Sequence, residues 1–267
     1  MLLETLHARI AAGQDRVAIC ISTQQITYAE LDQRAVWIAQ ALQARCVREG
    51  ALVAICMERS PALIVAVVGV LLAGAAYTVV ETHAQDRYVG RYDAILETLR
   101  RIEPDLVLVE RGDSGWCRGG YPSAVIPKRA YGWFAPLRAL TGRAPSRAYV
   151  VFTSGTTGMS KGVEISHASL AHYCQAMVER LALPDGLRYA HVSTLAADLG
   201  NTSLFLALWT GGSVYLANDQ ERRDPQQLAV ALAAQQVDCL KCTPTQWRLL
   251  SAVDCAGVSL QLSLIHI

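Results

Sequence analysis

The chain has 267 residues, 52% of them hydrophobic, enough to bury a sizeable core in one large or two small domains and to exclude a disordered polypeptide. A formal net charge of +1, with both signs scattered along the chain, supplies no basic stripe to neutralise a line of phosphates, so nucleic acid is excluded as the expected partner. Eight cysteines lie mostly inside apolar runs without a framework spacing, the pattern of reduced thiols in a cytoplasmic protein and not of a disulfide scaffold.

The opening MLLETLHARI lacks the basic, apolar and small-residue order of a signal peptide. VAICI reads as a strand, and YAELDQRAVWIAQALQARC as a helix with Leu31, Ala35, Ile38 and Leu42 on one face. ALVAICM is the next strand. Residues 62–80 are apolar enough to raise a membrane span. Gly69 and Gly74 interrupt that run and its end turns β-branched, so a buried helix after Ser60 and Pro61, then a buried strand ending near Val80, is expected and no membrane contact. A helix from Tyr92 to Arg101 and the strand DLVLVE follow. Residues 111–146, rich in glycine, proline and aromatics, read as an irregular surface connection.

AYVVF restarts the alternation, and a helix from about Ala168 to Leu183 carries Leu170, Cys174, Met177 and Leu181 on one face. Strand YAHVS, helix TSLFLALW, strand GSVYLA, helix PQQLAVALAAQQ and strand VDCLKC complete the order. The chain is therefore expected to be α/β, with two αβ-layered halves joined by the irregular segment. Cys239 and Cys242 form a C-x-x-C inside the last strand, where neither a second pair nor a helix start supports a zinc or redox site. The final LSLIHI stops in mid-pattern and looks like the translated end of a sequencing adapter. Residues 262–267 are accordingly expected to be a non-native tail; an apolar terminal strand is the alternative.

Between AYVVF and KGVEIS, both β-type, lies a loop with glycines at 155 and 158 and hydroxyls at Thr153, Ser154, Thr156 and Thr157. Glycines let backbone N–H groups converge on one point, and with Lys161 and the hydroxyls they make a donor set suited to a triphosphate. Lys161 falls at the Walker A spacing from Gly155, yet Ser160 precedes it and Gly162 follows, so that motif's second glycine and magnesium hydroxyl are missing. The segment after the lysine is also a strand and not a helix, which excludes the ATPase loop.

YVVFTSGTTGMSKG resembles the phosphate-binding signature of adenylate-forming enzymes, the superfamily of acyl-CoA synthetases, luciferases and nonribosomal peptide synthetase adenylation domains. ITYAEL at 26–31 and LLAGAAYTVVE at 71–81 resemble that family's first two core motifs, in the right order. The resemblance implies a fold made of the two αβ subdomains of the N-terminal lobe, with residues 1–261 a partial lobe. It implies ATP and Mg²⁺, attack of a carboxylate on the α-phosphate, and transfer of the acyl group to a thiol. It also assigns Thr153, Ser154, Gly155, Thr156, Thr157, Gly158 and Lys161 to the phosphates, with Thr157 and Lys161 as catalytic donors. Two departures stand out: Ser160 replaces a usual proline, which loosens the loop by up to about 1 kcal/mol, and Val80-Glu81 replace a common proline and aspartate.

STLAADLGNTSLFLALWTGGSVYL resembles the family's next motif and puts Asp198 where amino-acid-activating members carry an aspartate to meet the α-ammonium; Ala197 stands where an aromatic is usual. The alternative is that Asp198 caps the following helix. The same register lays Leu199, Thr202 and Lys241 on the pocket wall, similar to patterns selecting aspartate or asparagine, while AADLGNT resembles glutamine-type domains. Lys241 is unusual in a buried strand and calls for an anion or amide unless it snorkels to solvent. The resemblance therefore implies activation of a polar acidic or amide amino acid for the phosphopantetheine thiol of a carrier protein, alongside other synthetase modules. The alternatives are a stand-alone acyl or aryl CoA ligase, or a non-catalytic nucleotide-binding module. His167 reads as capping or packing, and His172 and His191 as structural. The family's later magnesium-binding acid, ribose-binding aspartate and C-terminal lobe have no counterpart before residue 267. The isolated polypeptide is therefore expected to give no ATP–pyrophosphate exchange, and exchange above background would overturn that expectation.

Overall fold

The run Thr27-Tyr28-Ala29-Glu30 starts a helix by satisfying its orphan donors reciprocally. The Glu30 N–H donates to Thr27 Oγ1 (3.2 Å), and the Thr27 N–H donates to Glu30 Oε2 (3.1 Å), a capping box. Tyr28, wholly buried, then donates its hydroxyl to the Gly212 carbonyl at 2.8 Å. The second of the family-like motifs also has a local cause. Pro61 is the first residue of a helix that ends at Ala73, and Gly74 takes φ +77° to turn the chain into the next strand.

The computed structural model describes residues 2–82, 89–110, 123–126, 147–153 and 161–265. In chain order the elements are α1 (Leu2–Ala12), β1 (Val17–Ile21), β2 (Gln24–Thr27), α2 (Tyr28–Gln43), β3 (Leu52–Glu58), α3 (Pro61–Leu72), β4 (Ala76–Thr82), α4 (Val89–Ile102), β5 (Leu106–Glu110) and β6 (Ser123–Ile126). Then follow β7 (Arg147–Thr153), β8 (Lys161–Ser166), α5 (His167–Leu181), β9 (Arg188–His191), α6 (Asp198–Trp209), β10 (Ser213–Leu216), α7 (Asp219–Arg223), α8 (Pro225–Ala234), β11 (Cys239–Cys242), α9 (Pro244–Ser251) and β12 (Leu262–Ile265).

These elements form two units. One, Leu31–Leu170, holds a sheet of order β6-β5-β3-β4-β7-β8, parallel throughout except for the antiparallel β7–β8 pair at its edge. Its core stacks Ala54, Cys56, Val107 and Val109 against Ile95 and Leu99 of α4. Helix α3 is apolar all round and buried from Leu63 to Leu72. Among the described residues no helix is long and apolar enough to cross a membrane.

The other unit combines Met1–Glu30 with Ala171–Ile267 around a sheet of order β12-β11-β9-β10-β1-β2. Ile19 and Cys20 pair in parallel with Val214 and Tyr215, which seats β1 between β10 and β2. Arg9 of α1 adds a bidentate pair to Asp185 (2.6 and 2.9 Å) and a bond to the Trp209 carbonyl. The division between units therefore does not fall in the irregular 111–146 segment, as the element order suggested; that segment lies within one unit and contributes β6, paired with β5. Residues Leu262–Ile265 pair in parallel with Cys239–Cys242 as an edge strand.

The Tyr28 bond is a buried polar stitch between the first thirty residues and the rest of their unit. Tyr28→Phe strands a buried carbonyl and is expected to lower unfolding free energy by about 1 kcal/mol. Gly212→Ala puts a Cβ 2.0 Å from the Leu187 carbonyl oxygen, a clash with backbone that cannot swing away. It is expected to cost about 3 kcal/mol. Equilibrium urea unfolding of both variants measures the two effects.

Candidate functional site

Strands β7 and β8 bracket the glycine loop. Their antiparallel register pairs Thr153 with Lys161 and Phe152 with Gly162, so the loop leaves and re-enters the sheet at one level. Gly162 has a packing reason: a Cβ there would stand 3.1 Å from the Phe152 ring and 3.3 Å from Val150, so the bare backbone leaves room for the cross-strand aromatic. Lys161 is exposed at the head of β8. Ser154, Gly155, Thr156, Thr157, Gly158 and Ser160 lie outside the described residues, as does the Thr153 side chain. The lysine opens a six-residue strand, and no helix N-terminus faces the loop from that side, which is the arrangement that separates it from a Walker A site.

The neighbouring strand brings a charge pair that sequence reasoning missed. Tyr77 of β4 pairs in parallel with Tyr149 of β7, which makes β4 the neighbour of the strand that leads into the loop. Glu81 lies 3.9 Å from the Arg59 guanidinium, with 10% and 5% of the two side chains exposed. The residue that departs from the family-like motif is thus half of an ion pair at the end of β4.

In the other unit, four predicted pocket residues come from α6 and β11. Asp198 is the first residue of α6; Ala197 holds the N-cap position and makes no side-chain cap, so Asp198 is not the cap. Asp198 is exposed, Leu199 half-buried and Thr202 buried. Lys241 reaches from β11 to donate to Thr202 Oγ1 at 2.6 Å. Burial holds the Lys241 ammonium below its ordinary range, and the Asp198 carboxylate acts in the opposite direction. The structure thus joins Thr202 and Lys241 directly and sets Asp198 in electrostatic reach. Leu199 follows Asp198 on the first turn of α6 and has no polar side-chain group with which to join them.

Sequence reasoning missed a fourth polar member. Tyr173 of α5 bonds Thr202 Oγ1 through its hydroxyl at 3.2 Å, and burial pushes its phenol above the ordinary tyrosine range. The apolar helix face marked by Leu170, Cys174 and Met177 does not include it. Gly200 sets the first turn of α6 tightly: a Cβ would come 2.1 Å from the Thr194 carbonyl oxygen and 3.0 Å from His191 Nε2.

The three histidines differ. His191 is wholly buried and His172 exposed. His167 opens α5 after the capping residue Ser166, whose Oγ accepts from the Ser169 N–H; its ring is buried and held below the ordinary imidazole range by desolvation. The C-x-x-C thiols are buried and free, and burial pushes Cys239 up to about 12. They are inert packing groups. No group of three His, Cys, Asp or Glu suited to a metal ion exists among the described residues.

Known proteins similar to this chain fall in one family. Nonribosomal peptide synthetase kk1B of Curvularia clavata is 28% identical over 251 residues, 91% of this chain and 2% of that protein. Pyochelin synthetase PchE of Pseudomonas aeruginosa is 32% identical over 248 residues, 90% of this chain and 16% of that protein. The chain thus spans a small fraction of the curated relatives it matches. In structure, the nonribosomal peptide synthetase FmoA3 in its α-methyl-L-serine-AMP bound form superposes with a TM-score of 0.81 at 24% identity, over 99% of this chain and 30% of that one. O-succinylbenzoate coenzyme A synthetase of Bacillus subtilis, in complex with AMP, gives 0.78 at 20% identity, over 98% and 67%. At those identities the structures share the fold. The family described as AMP-binding enzyme matches residues 6–264, and the chain belongs to it.

Proposed function

We propose that the chain is the part of an AMP-forming ligase that activates an amino acid with a polar acidic or amide side chain, giving an aminoacyl-AMP for a carrier-protein phosphopantetheine thiol. The observation that carries this reading is the half-buried Lys241 ammonium bonded to Thr202 at 2.6 Å with Asp198 in electrostatic reach. A carboxylate or amide oxygen from a side chain gives the ammonium the acceptor that a buried cation needs. Asp198, exposed at the start of α6, takes the α-ammonium. The relatives above, a nonribosomal peptide synthetase among them, support the same reaction class.

The substrate carboxylate attacks the α-phosphorus of ATP; the new O–P bond forms as the bond to pyrophosphate breaks. Negative charge accumulates on the phosphate and the departing pyrophosphate, and the enzyme's contribution is to hold donors there in advance. Thr153, Ser154, Gly155, Thr156, Thr157, Gly158 and Lys161 are the donors in this reading, with Thr157 and Lys161 acting on the leaving charge. The described residues offer no set that fits Mg²⁺, so no step is assigned to it.

Amino-acid-dependent ATP–pyrophosphate exchange in the synthetase that carries this chain tests the assignment. Asp198→Ala is expected to depress kcat/KM by about a hundredfold for every amino acid, because it removes the α-ammonium's partner. Lys241→Ala is expected to erase the preference for acidic and amide side chains. An unchanged preference in that variant would sink the side-chain assignment. Lys161→Ala is expected to lower kcat by about a hundredfold or more while leaving the KM for the amino acid nearly unchanged, the signature of a contact made mainly in the transition state.

A further inference from the structure

Three elements far apart in sequence converge on one oxygen. Thr202 Oγ1 of α6 accepts a bond from Lys241 Nζ of β11 at 2.6 Å and shares another with the Tyr173 hydroxyl of α5 at 3.2 Å. Thr202 is 4% exposed and Tyr173 36%, so the bonds run from a buried residue outward to one at the margin of the unit. We propose that Tyr173 is a specificity-determining residue of this pocket: Lys241 and Thr202 favour a side-chain carboxylate over the corresponding amide, and Tyr173 limits that preference. The inference rests on the reading of this pocket as the amino-acid site and adds to it a residue and a choice.

Donor accounting carries the choice. An ammonium has three N–H donors and no acceptor; a hydroxyl has one donor and two lone pairs. One lysine donor is spent on Thr202, which leaves two. The Thr202–Tyr173 bond consumes one hydroxyl hydrogen and one lone pair whichever way it points, leaving one hydroxyl hydrogen and two lone pairs. The trio therefore offers an incoming group three donors, two of them on a cation. A carboxylate, which only accepts, can use all of them. An amide presents an oxygen to the same donors, but its NH₂ needs acceptors, and it brings no charge to meet the ammonium. Charge-assisted hydrogen bonds are about twice as strong as neutral ones, and a preference of about tenfold or more for the acid follows.

Tyr173 sets the size of that preference. In either direction of the bond, the phenol oxygen keeps at least one lone pair, and Tyr173 is the more exposed of the two residues. It is therefore the acceptor on which an amide NH₂ depends. Tyr173→Phe deletes this acceptor and leaves the lysine donors in place, so it weakens both substrates but the amide far more. The side chain's exposure and the small change make the variant compatible with folding, and its thermal midpoint is compared with the parent.

The experiment measures kcat/KM in pyrophosphate exchange for aspartate, asparagine, glutamate and glutamine, in the synthetase carrying this chain and in its Tyr173→Phe and Lys241→Ala variants. The expected result is an acid-to-amide ratio of about ten or more in the parent for one of the two pairs, rising roughly tenfold further in Tyr173→Phe and collapsing towards one in Lys241→Ala. If Lys241→Ala collapses selection but Tyr173→Phe moves the ratio less than twofold, or if the parent prefers the amide, this inference is overturned and the pocket assignment stands. If Lys241→Ala leaves selection unchanged, or none of the four supports exchange, the pocket assignment itself falls and this inference with it.

Discussion

Parallel pairing of Ile19 and Cys20 with Val214 and Tyr215 is the constraint on which one whole unit depends. A parallel pair cannot be closed by a tight turn; it needs a crossover, and here the crossover contains the entire other unit. The entropy of closing so long a loop grows only with the logarithm of its length, so the cost is set by the pairing itself and not by how much chain lies between. Local devices make the closure specific. The Thr27–Glu30 capping box fixes where α2 starts, and that start aims Tyr28 at the Gly212 carbonyl. Gly212 must be glycine because its α-carbon lies against the Leu187 backbone. Once these contacts form, β11, which carries Lys241, belongs to a sheet whose opposite edge is made by β1 and β2, and α6, which carries Asp198 and Thr202, packs on that sheet.

The same unit accepts an unfavourable feature in its interior. A lysine in a four-residue strand flanked by buried Leu240 and Cys242 loses hydration, and its ammonium is held below its ordinary range for that reason. A core that merely needed packing would be better served by an apolar residue at this position. One hydroxyl at 2.6 Å satisfies a single N–H and leaves the charge itself uncompensated within the trio, apart from the longer-range pull of Asp198. In the proposed reading, that imbalance marks a recognition residue. The thiols Cys239 and Cys242 fall on the other side, since their burial is an ordinary packing outcome.

Much of the fold was legible because the elements are strongly patterned. The helix face of Leu31, Ala35, Ile38 and Leu42 is fully buried, and the apolar run after Pro61 resolves into α3, Gly74 and β4, as its glycines and β-branched end implied. What was not legible needed long-range partners. Helix α1 presents Leu6 and Ile10 to its core, a role its sequence alone did not disclose. The place of β1 depends on residues almost two hundred positions away, so a chain-order reading divides the units at the wrong segment. At the site, Asp198, Thr202 and Lys241 follow from motif register. Tyr173 does not, because an amphipathic-face reading sorts helix positions into buried and exposed and has no category for a residue at the margin whose hydroxyl alone turns inward.

The Arg59–Glu81 pair shows the same limit from another side and changes the meaning of a departure. Read along the sequence, Glu81 is an aspartate lengthened by one methylene. In the sheet it is a carboxylate with one-tenth of its side chain exposed, set against a guanidinium that protrudes just past the end of β3. The pair itself adds little net stability. Such an arrangement acts chiefly on position: it ties the ends of β3 and β4, and β4 is the neighbour of β7. A loop that carries serine in place of a stiffening proline has more conformations to lose on gripping a triphosphate, by up to about 1 kcal/mol. In the proposed reading, the Arg59–Glu81 pair orders the ends of β3 and β4 beside the strand that leads into that loop.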